Sequence, residues 1–438
     1  MAEVINGNME KEESQKVVTA KSMEAAQERT HMEKPAKAAT PKFAYNETDQ
    51  IETKISLKIG CIGVGNAGNQ AITTLYRNGI TNHLFAINTS VNDLSNKVVI
   101  DSIPSFIAGK EGRGAGKNRE KARELFKQNG RSLFSYKAFS TIINECDVII
   151  VVFATGGGTG SEIGPTILNI LQNMLNKTKK VVIAYAITPK KSDSPQAHFN
   201  NLESLNEIKK LNIPFICDDL SMMEEENNEI AYETVLGNFV KYVRTISGEF
   251  NLHTGNGMMD QNDMLTTIST PGYQTHYHLE KITQEMIDKS SIQSLIIDQM
   301  KKSTCMNIQR DGKIEYIGVI TSYPAAMSET SRTGNYSELY KYIGNTARDC
   351  FENYGEVNTS TASVHVIMSG MTMPYDRMLI SEAVIKEHEA AKKKVTDDVN
   401  LDDILGSISD MSGGNSKIQG ENEVDANAIN TALDNFFN

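Results

Sequence analysis

Predominantly apolar blocks recur along residues 55–227. Five of them, 55–62, 83–87, 147–153, 180–187 and 213–217, have the length and apolar density of strands buried on both faces. Between them apolar residues recur every three to four positions, as in 119–126 and 163–174, the period of a helix packed on one side. Strand–helix alternation of this kind predicts an α/β fold, a parallel sheet covered by helices on both faces.

The pattern changes after residue 227. Val235, Phe239, Tyr242, Val243 and Ile246 fall at helical spacing and predict a long central helix over 229–247. Apolar runs at 314–321 and 362–369, with helical patterns near 283–301 and 335–353, predict a smaller α+β second domain. Residues 375–394 give an amphipathic helix ending in three lysines, a composition suited to a helix C-terminus. The organisation is therefore a disordered N-terminal extension (1–54), a first domain (55–227), a central helix with the loop after it (228–271), a second domain (272–374), a C-terminal helix (375–394) and an acidic flexible tail (395–438).

Composition narrows the function. Lys and Arg total 44 against 55 Asp and Glu, a net charge of −11 that offers no basic face for direct binding along a nucleic-acid backbone. Cys61, Cys146, Cys217, Cys305 and Cys350 are odd in number and widely spaced, as reduced core thiols rather than disulfides or zinc ligands. His198, His253, His276 and His278 show no metal-ligand spacing and are assigned surface or packing roles. No apolar stretch reaches 18 residues and no signal peptide is visible, so a soluble cytoplasmic chain without membrane insertion is expected.

The chemistry concentrates in glycine-dense loops. Phe153-Ala154-Thr155-Gly156-Gly157-Gly158-Thr159-Gly160-Ser161 lies between a predicted strand and a predicted helix. Such a loop presents backbone N–H groups and a positive helix end to phosphate, and three successive glycines leave no Cβ in the way. Gly63-Val64-Gly65-Asn66-Ala67-Gly68 spells G-x-G-x-x-G, but the following strand ends in Asn88-Thr89-Ser90, without the carboxylate of a dinucleotide site. A third loop, 109–118, lacks the Walker pattern, because Asn118 follows Gly116-Lys117 and Glu111 stands where the first glycine belongs. Arg113 and Lys117 offer positive charge there, with ordinary solvated surface as the competing reading. Three glycine loops feeding three helices predict one polyphosphate held from several sides.

In this order the loops resemble the tubulin/FtsZ superfamily of GTPases. Gly65, Asn66, Ala67, Gly68 and Gln70 fall on its first phosphate loop and Asn88 on its second. Gly114, Ala115, Gly116, Lys117 and Asn118 fall on the third, and Gly156, Gly157, Gly158, Thr159 and Gly160 on the signature. Ile87-Asn88-Thr89-Ser90, Ser269-Thr270-Pro271-Gly272 and Ser369-Gly370-Met371-Thr372-Met373-Pro374 look most similar to the TubZ-like homologues of plasmids and phages. The resemblance extends to about Pro374 and implies a Rossmann-like GTPase domain using GTP or GDP with Mg2+. It implies Asp193 at the sugar, and Asn228, Tyr232 or Glu233 at the base. Three positions depart from the family pattern. Glu162 replaces a glycine, and its carboxylate must point away from the phosphates. Ser90 replaces an acidic residue near the metal, which leaves the metal ligands unassigned, and Ala197 stands where an arginine is expected.

Asp260 and Asp263 have D-x-x-D spacing, which in a helix puts both carboxylates on one face, able to polarise a water. Spacing alone also suits a solvated acidic turn. The resemblance makes the pair catalytic and sets it at the end of the subunit opposite the glycine loops, where it would complete a neighbour's site. The implied protein is a head-to-tail homopolymer that hydrolyses GTP at its subunit contacts and segregates or positions plasmid or phage DNA. A division or phage-spindle polymer of the same superfamily is the alternative, and a non-polymerising Rossmann-like enzyme is a third reading. In the tail, Leu433, Phe436 and Phe437 suggest a short helix that docks on a basic helix-turn-helix DNA-binding adaptor, against simple solvation.

Overall fold

The computed structural model describes residues 55–97, 102–224, 226–248, 259–305, 313–327, 336–344, 347–357 and 359–397. The N-terminal extension, His253 and the tail residues Leu433, Phe436 and Phe437 lie outside them.

Strand β1 (Ile59–Val64) leads into helix α1 (Gly65–Arg77), β2 (Leu84–Asn88) into α2 (Val91–Lys97), and β3 (Ser105–Ile107) into α3 (Arg119–Leu133) and α4 (Lys137–Glu145). Then come β4 (Val148–Ala154), α5 (Thr159–Leu175), β5 (Val181–Thr188), α6 (Pro195–Leu211) and β6 (Pro214–Asp219). The central helix α7 (Asn228–Ile246) precedes α8 (Gln261–Ser269), β7 (Gly272–Ile282), α9 (Gln284–Lys289) and α10 (Ile292–Lys302). The chain closes with β8 (Tyr316–Pro324), α11 (Ser337–Ile343), β9 (Asp349–Val357), β10 (Ala362–Met371) and α12 (Tyr375–Asp397).

All these strands join one sheet in the order β3-β2-β1-β4-β5-β6-β7-β10-β8-β9. Only β10 runs antiparallel to its neighbours, β7 and β8. Alternate residues of β4 supply the two cores: Ile149, Val151 and Phe153 face α3–α6, while Val148, Ile150 and Val152 face α1 and α7. Full burial on both sides is why β4 reads as an unbroken apolar run, at about 2 kcal/mol for each buried side chain. The strand order reverses between β1 and β4, so the connections leaving their carboxyl ends diverge and open a crevice there.

Several elements differ from the sequence expectation. Helix α5 begins at Thr159, so the end of the glycine signature is already its first turn, and α1 likewise begins at Gly65. The segment 283–301 is two helices, because Thr283 and Ser291 each cap a new N-terminus by accepting from Met286 N and Ser294 N. Among the described residues of 335–353 the helix is α11 alone, which stops at Gly344 in the left-handed region (φ 87°) before β9.

The C-terminal half of α7 packs on β7 and β10 through a buried polar cluster. The His276 ring stacks on those of His278 and His365 at centroid distances of 5.3 and 5.6 Å. Thr245 Oγ1 lies 3.3 Å from His276 Nε2 and 3.1 Å from His365 Nδ1, and Lys241 Nζ lies 3.0 Å from His278 Nε2. Lys241 also pairs with Glu280 at 3.6 Å. Burial first, then the neighbouring rings and Lys241, holds His276 and His365 well below the usual imidazole range. His278 is lowered to about 3 by burial and Lys241. The triad is therefore neutral packing.

Helix α12 docks on α6. Arg377 pairs with the buried Asp219 at the end of β6, and Asp219 Oδ1 accepts from Thr188 Oγ1 at 3.1 Å. One turn further, Ser381 Oγ lies 2.9 Å from His198 Nδ1 and accepts from Asn201 Nδ2 at 3.0 Å. Asn201 Oδ1 in turn accepts from Thr155 Oγ1 at 2.6 Å.

Candidate functional site

A cleft of about 610 Å³ opens at the carboxyl ends of β1, β2, β4 and β5. Its volume is within the range of small-molecule sites. Gly65, Asn66, Ala67 and Gln70 form one wall, with Gln70 Nε2 donating to Asn66 Oδ1 at 3.3 Å. Gly68 is not part of the lining. A Cβ there would stand 2.2 Å from the Val152 carbonyl, so its glycine lets α1 lie directly on β4.

Asn88 lines the cleft but is buried, and its carboxamide folds the second loop: Oδ1 accepts from Thr89 N (2.8 Å) and Ser90 N (3.2 Å), and Nδ2 donates to Asn69 Oδ1 (2.8 Å). Thr89 Oγ1 meets Thr159 Oγ1 at 2.7 Å and joins this loop to the signature. Ser90 and Asp93 complete this rim.

From the third loop Gly114, Ala115, Gly116, Lys117 and Arg113 reach the cleft. Gly114, Gly116 and Lys117 all have positive φ, and at Lys117 (φ 62°) a side chain makes that conformation strained, by about 1 kcal/mol. Lys117 Nζ lies 3.4 Å from Ser194 Oγ. Asn118 does not line the cleft; it caps α3, its side chain accepting from Lys121 N at 2.9 Å.

Gly156, Gly157, Gly158, Thr159 and Gly160 form the floor. A Cβ on Gly158 would stand 2.9 Å from Asn118 N, so the signature and the third loop touch backbone to backbone. The first turn of α5 leaves its N–H groups without helical partners and aims them at the cleft's floor. Glu162 points away from this floor, as the sequence argument requires. It is 2% exposed and bonded on the far side of the helix to Arg119 Nη2 at 2.9 Å and Arg123 Nε at 2.5 Å. Glu162 is thus the acidic partner of a buried ion pair behind the loop.

On the remaining side the lining includes Thr188, Asp193, Ala197, Leu220 and Tyr232. Asp193 Oδ2 accepts from Lys190 N at 3.0 Å. Burial, then the nearby Asp193 carboxylate, pushes the Tyr232 phenol up, so it stays a hydroxyl at neutral pH. Asn228 does not reach the cleft; it is exposed at the start of α7, behind the N-cap Asn227, and Glu233 is exposed as well. Thr188 and Leu220 carry no motif. The signal that could have found them is their place at the ends of β5 and β6.

Asp260 and Asp263 are brought together but not into the cleft. Asp260 caps α8, and the two form a reciprocal capping box: Asp260 Oδ1 accepts from Asp263 N at 2.9 Å and Asp263 Oδ2 from Asp260 N at 3.0 Å. Gln261 Oε1 accepts from Ser56 N at 3.3 Å, just before β1 begins. At the other end of α8, Gly272 pairs with Pro214 at the start of β6. The acidic pair therefore lies at the amino ends of the parallel strands, and the glycine loops at their carboxyl ends.

A polar cleft ringed by glycine loops at the carboxyl edge of a parallel sheet defines an α/β protein shaped for a phosphate-bearing ligand. Residues 58–219 match the family model described as Tubulin/FtsZ family, GTPase domain. Among relatives, the cell division protein FtsZ of Aquifex aeolicus (strain VF5) is 28% identical over 172 residues, 39% of this chain and 44% of that protein. The chain thus matches less than half the length of that relative. In fold it is similar to the tail-truncated TubZ of Clostridium botulinum phage c-st, with TM-score 0.59 and 20% identity over 77% of this chain and 99% of that one. It is also similar to TubZ of Bacillus thuringiensis serovar israelensis in a GTPγS-form protofilament, with TM-score 0.64 and 17% identity over 80% of this chain and 97% of that one. Among the described residues no helix is long and apolar enough to cross a membrane.

Proposed function

We propose that this protein is a GTP-dependent filament-forming GTPase that hydrolyses GTP where one subunit's cleft meets the next subunit's Asp260 and Asp263. The observation that carries this reading is the division of the site. Tyr232, near the start of α7, lines the cleft, whereas the acidic pair lies beyond the helix's other end. At 1.5 Å per residue its 19 residues span about 28 Å. One chain cannot bring its own carboxylates to its own phosphates; a second copy stacked end to end can. Such a contact is heterologous, and unless it closes it propagates as a filament.

Within the shared site the chain's groups divide the work. The glycine loops and the α5 N-terminus bind and orient the phosphates, Tyr232 and Asp193 flank the sugar and base, and Asp260 and Asp263 of the added subunit orient the attacking water. Mg2+ is the expected companion. Asp93 and Asp193 are the carboxylates lining the cleft, and no group of three His, Cys, Asp or Glu able to hold a metal occurs among the described residues. That donor set fits an ion carried chiefly by phosphate oxygens and waters, which when bound neutralises phosphate charge.

The cargo we favour is plasmid or phage DNA, reached through a basic helix-turn-helix adaptor on the C-terminal tail. The TubZ fold likeness and the acidic charge support this reading. A division polymer is the second reading, favoured by the sequence relationship to FtsZ. The test is phosphate release with light scattering on adding GTP: turnover per subunit should rise with protein concentration as scattering appears. Turnover as fast in dilute, unassembled protein overturns the shared site. Adaptor capture that depends on Phe436 and Phe437 supports segregation.

A further inference from the structure

We propose that Asn200 is a positioning residue whose carboxamide turns the backbone N–H groups of Gly157 and Gly158 toward the phosphate seat and ties that loop to the third glycine loop. This rests on the cleft's being a phosphate site, as proposed above. Asn200 sits one turn inside α6, fully buried and outside the cleft lining. Its Nδ2 lies 2.9 Å from the carbonyl of Lys117, 3.2 Å from that of Gly156 and 3.1 Å from that of Gly157. Two hydrogens are shared among three acceptors, while Oδ1 accepts from Gln196 Nε2 at 2.9 Å.

In a trans peptide the C=O of one residue and the N–H of the next point in opposite directions. With the carbonyls of Gly156 and Gly157 drawn back to Asn200, the N–H groups of Gly157 and Gly158 point away from it. Both glycines line the cleft, so away from Asn200 is toward the ligand. Ser161 Oγ, which also bonds the Gly157 carbonyl, lies 3.3 Å from that of Gly158 and continues the same arrangement. The tether matters because glycine peptides invert at little steric penalty. Asn200 selects one orientation in advance, the condition under which donors act most strongly on phosphate charge.

Asn200 is itself held. Its carbonyl accepts from Arg119 Nη1 at 3.3 Å, and Arg119 is fixed by Glu162 (Nη2, 2.9 Å) and Glu207 (Nη2, 2.6 Å). The carboxylate that replaces the family's glycine thus anchors the device from behind.

The test is binding of GDP and GMP to wild type, to Asn200→Asp and to Asn201→Asp. A carboxylate at 200 keeps the shape but has no hydrogen to donate and faces three carbonyl oxygens. Asn200→Asp should weaken GDP about tenfold or more and GMP clearly less, since the loss grows with the phosphates engaged. Asn201→Asp, buried on the same helix but bonded to the Ser381 and Thr155 side chains, should leave the GDP/GMP ratio unchanged. An unchanged ratio in Asn200→Asp overturns the proposal. Wild type that binds neither nucleotide overturns the reading of the cleft instead. Amide hydrogen exchange on wild type needs no variant and decides if Asn200→Asp does not fold. Exchange at 157 and 158 should slow when GDP binds, and unaltered exchange with GDP bound overturns the assignment.

Discussion

Lowering the pH from 7 to 5 should destabilise this protein through His276, His278 and His365. The unfolded chain takes up protons at these side chains below the ordinary imidazole value of 6.5, whereas in the native state His276 and His365 are held well below that value and His278 titrates only at about 3. A basic group whose native affinity for protons is depressed contributes stability above its unfolded pKa and loses it as pH falls. For His278 this removes about 2 kcal/mol by pH 5, and His276 and His365 act in the same direction. Asp218 works the other way. Burial, opposed by hydrogen bonds from Tyr185 and Thr304, raises it from 3.8 to about 6, so the native state binds that proton first and returns about 1 kcal/mol. Glu207, also raised by burial, acts in the same direction. The three histidines outweigh the two carboxyls, so the net change on acidification is a loss of stability. Urea unfolding of nucleotide-free protein at both pH values, followed by far-UV circular dichroism, reads it directly. Replacing His278 with Gln should shrink the pH 7-to-5 difference by about 2 kcal/mol, whatever it does to stability at pH 7. Equal pH dependence in wild type and variant would refute the argument.

Further outcomes follow from single contacts. Asp260→Ser keeps a good N-cap for α8 but removes a carboxylate, so assembly should persist while GTP turnover falls about 100-fold or more; undiminished phosphate release means the residue is only a cap. Arg119→Ala strands the buried Glu162 with Arg123 alone and should lower stability by about 3 kcal/mol in urea. Glu162→Gly should be milder, about 1 kcal/mol, because Arg119 keeps Glu207 at 2.6 Å. Gly158→Ala forces a Cβ against the backbone of Lys117 and Asn118 and should abolish measurable GTP binding while leaving the far-UV spectrum native.

The parallel half of the sheet was legible because its strands are buried on both sides and therefore plainly apolar. Strand β7 was hidden by the polar cluster it presents to α7: Gln274, His276 and His278 sit in a central strand where apolar residues are the rule. Strand β9 lies at the sheet edge, and Asp349, Glu352 and Glu356 give it the polar rhythm of a helix surface. The break at Ser290–Ser291 was signalled, since Ser291 is a good N-cap, but a continuing helical period masked it. In the cleft, glycine announces itself because few other residues permit its contacts and positive φ. Gly68 and Asn118 belong to the same motifs yet serve packing and capping, a distinction that only the spatial arrangement reveals. Asn200 had no motif to mark it, because its partners are main-chain oxygens 43 to 83 positions away.

Helix α12 is stitched to the cleft's supports at two buried points, Arg377 to Asp219 and Ser381 to Asn201. Mechanical load applied along that helix would therefore be delivered within one or two side chains of Thr188 and Thr155.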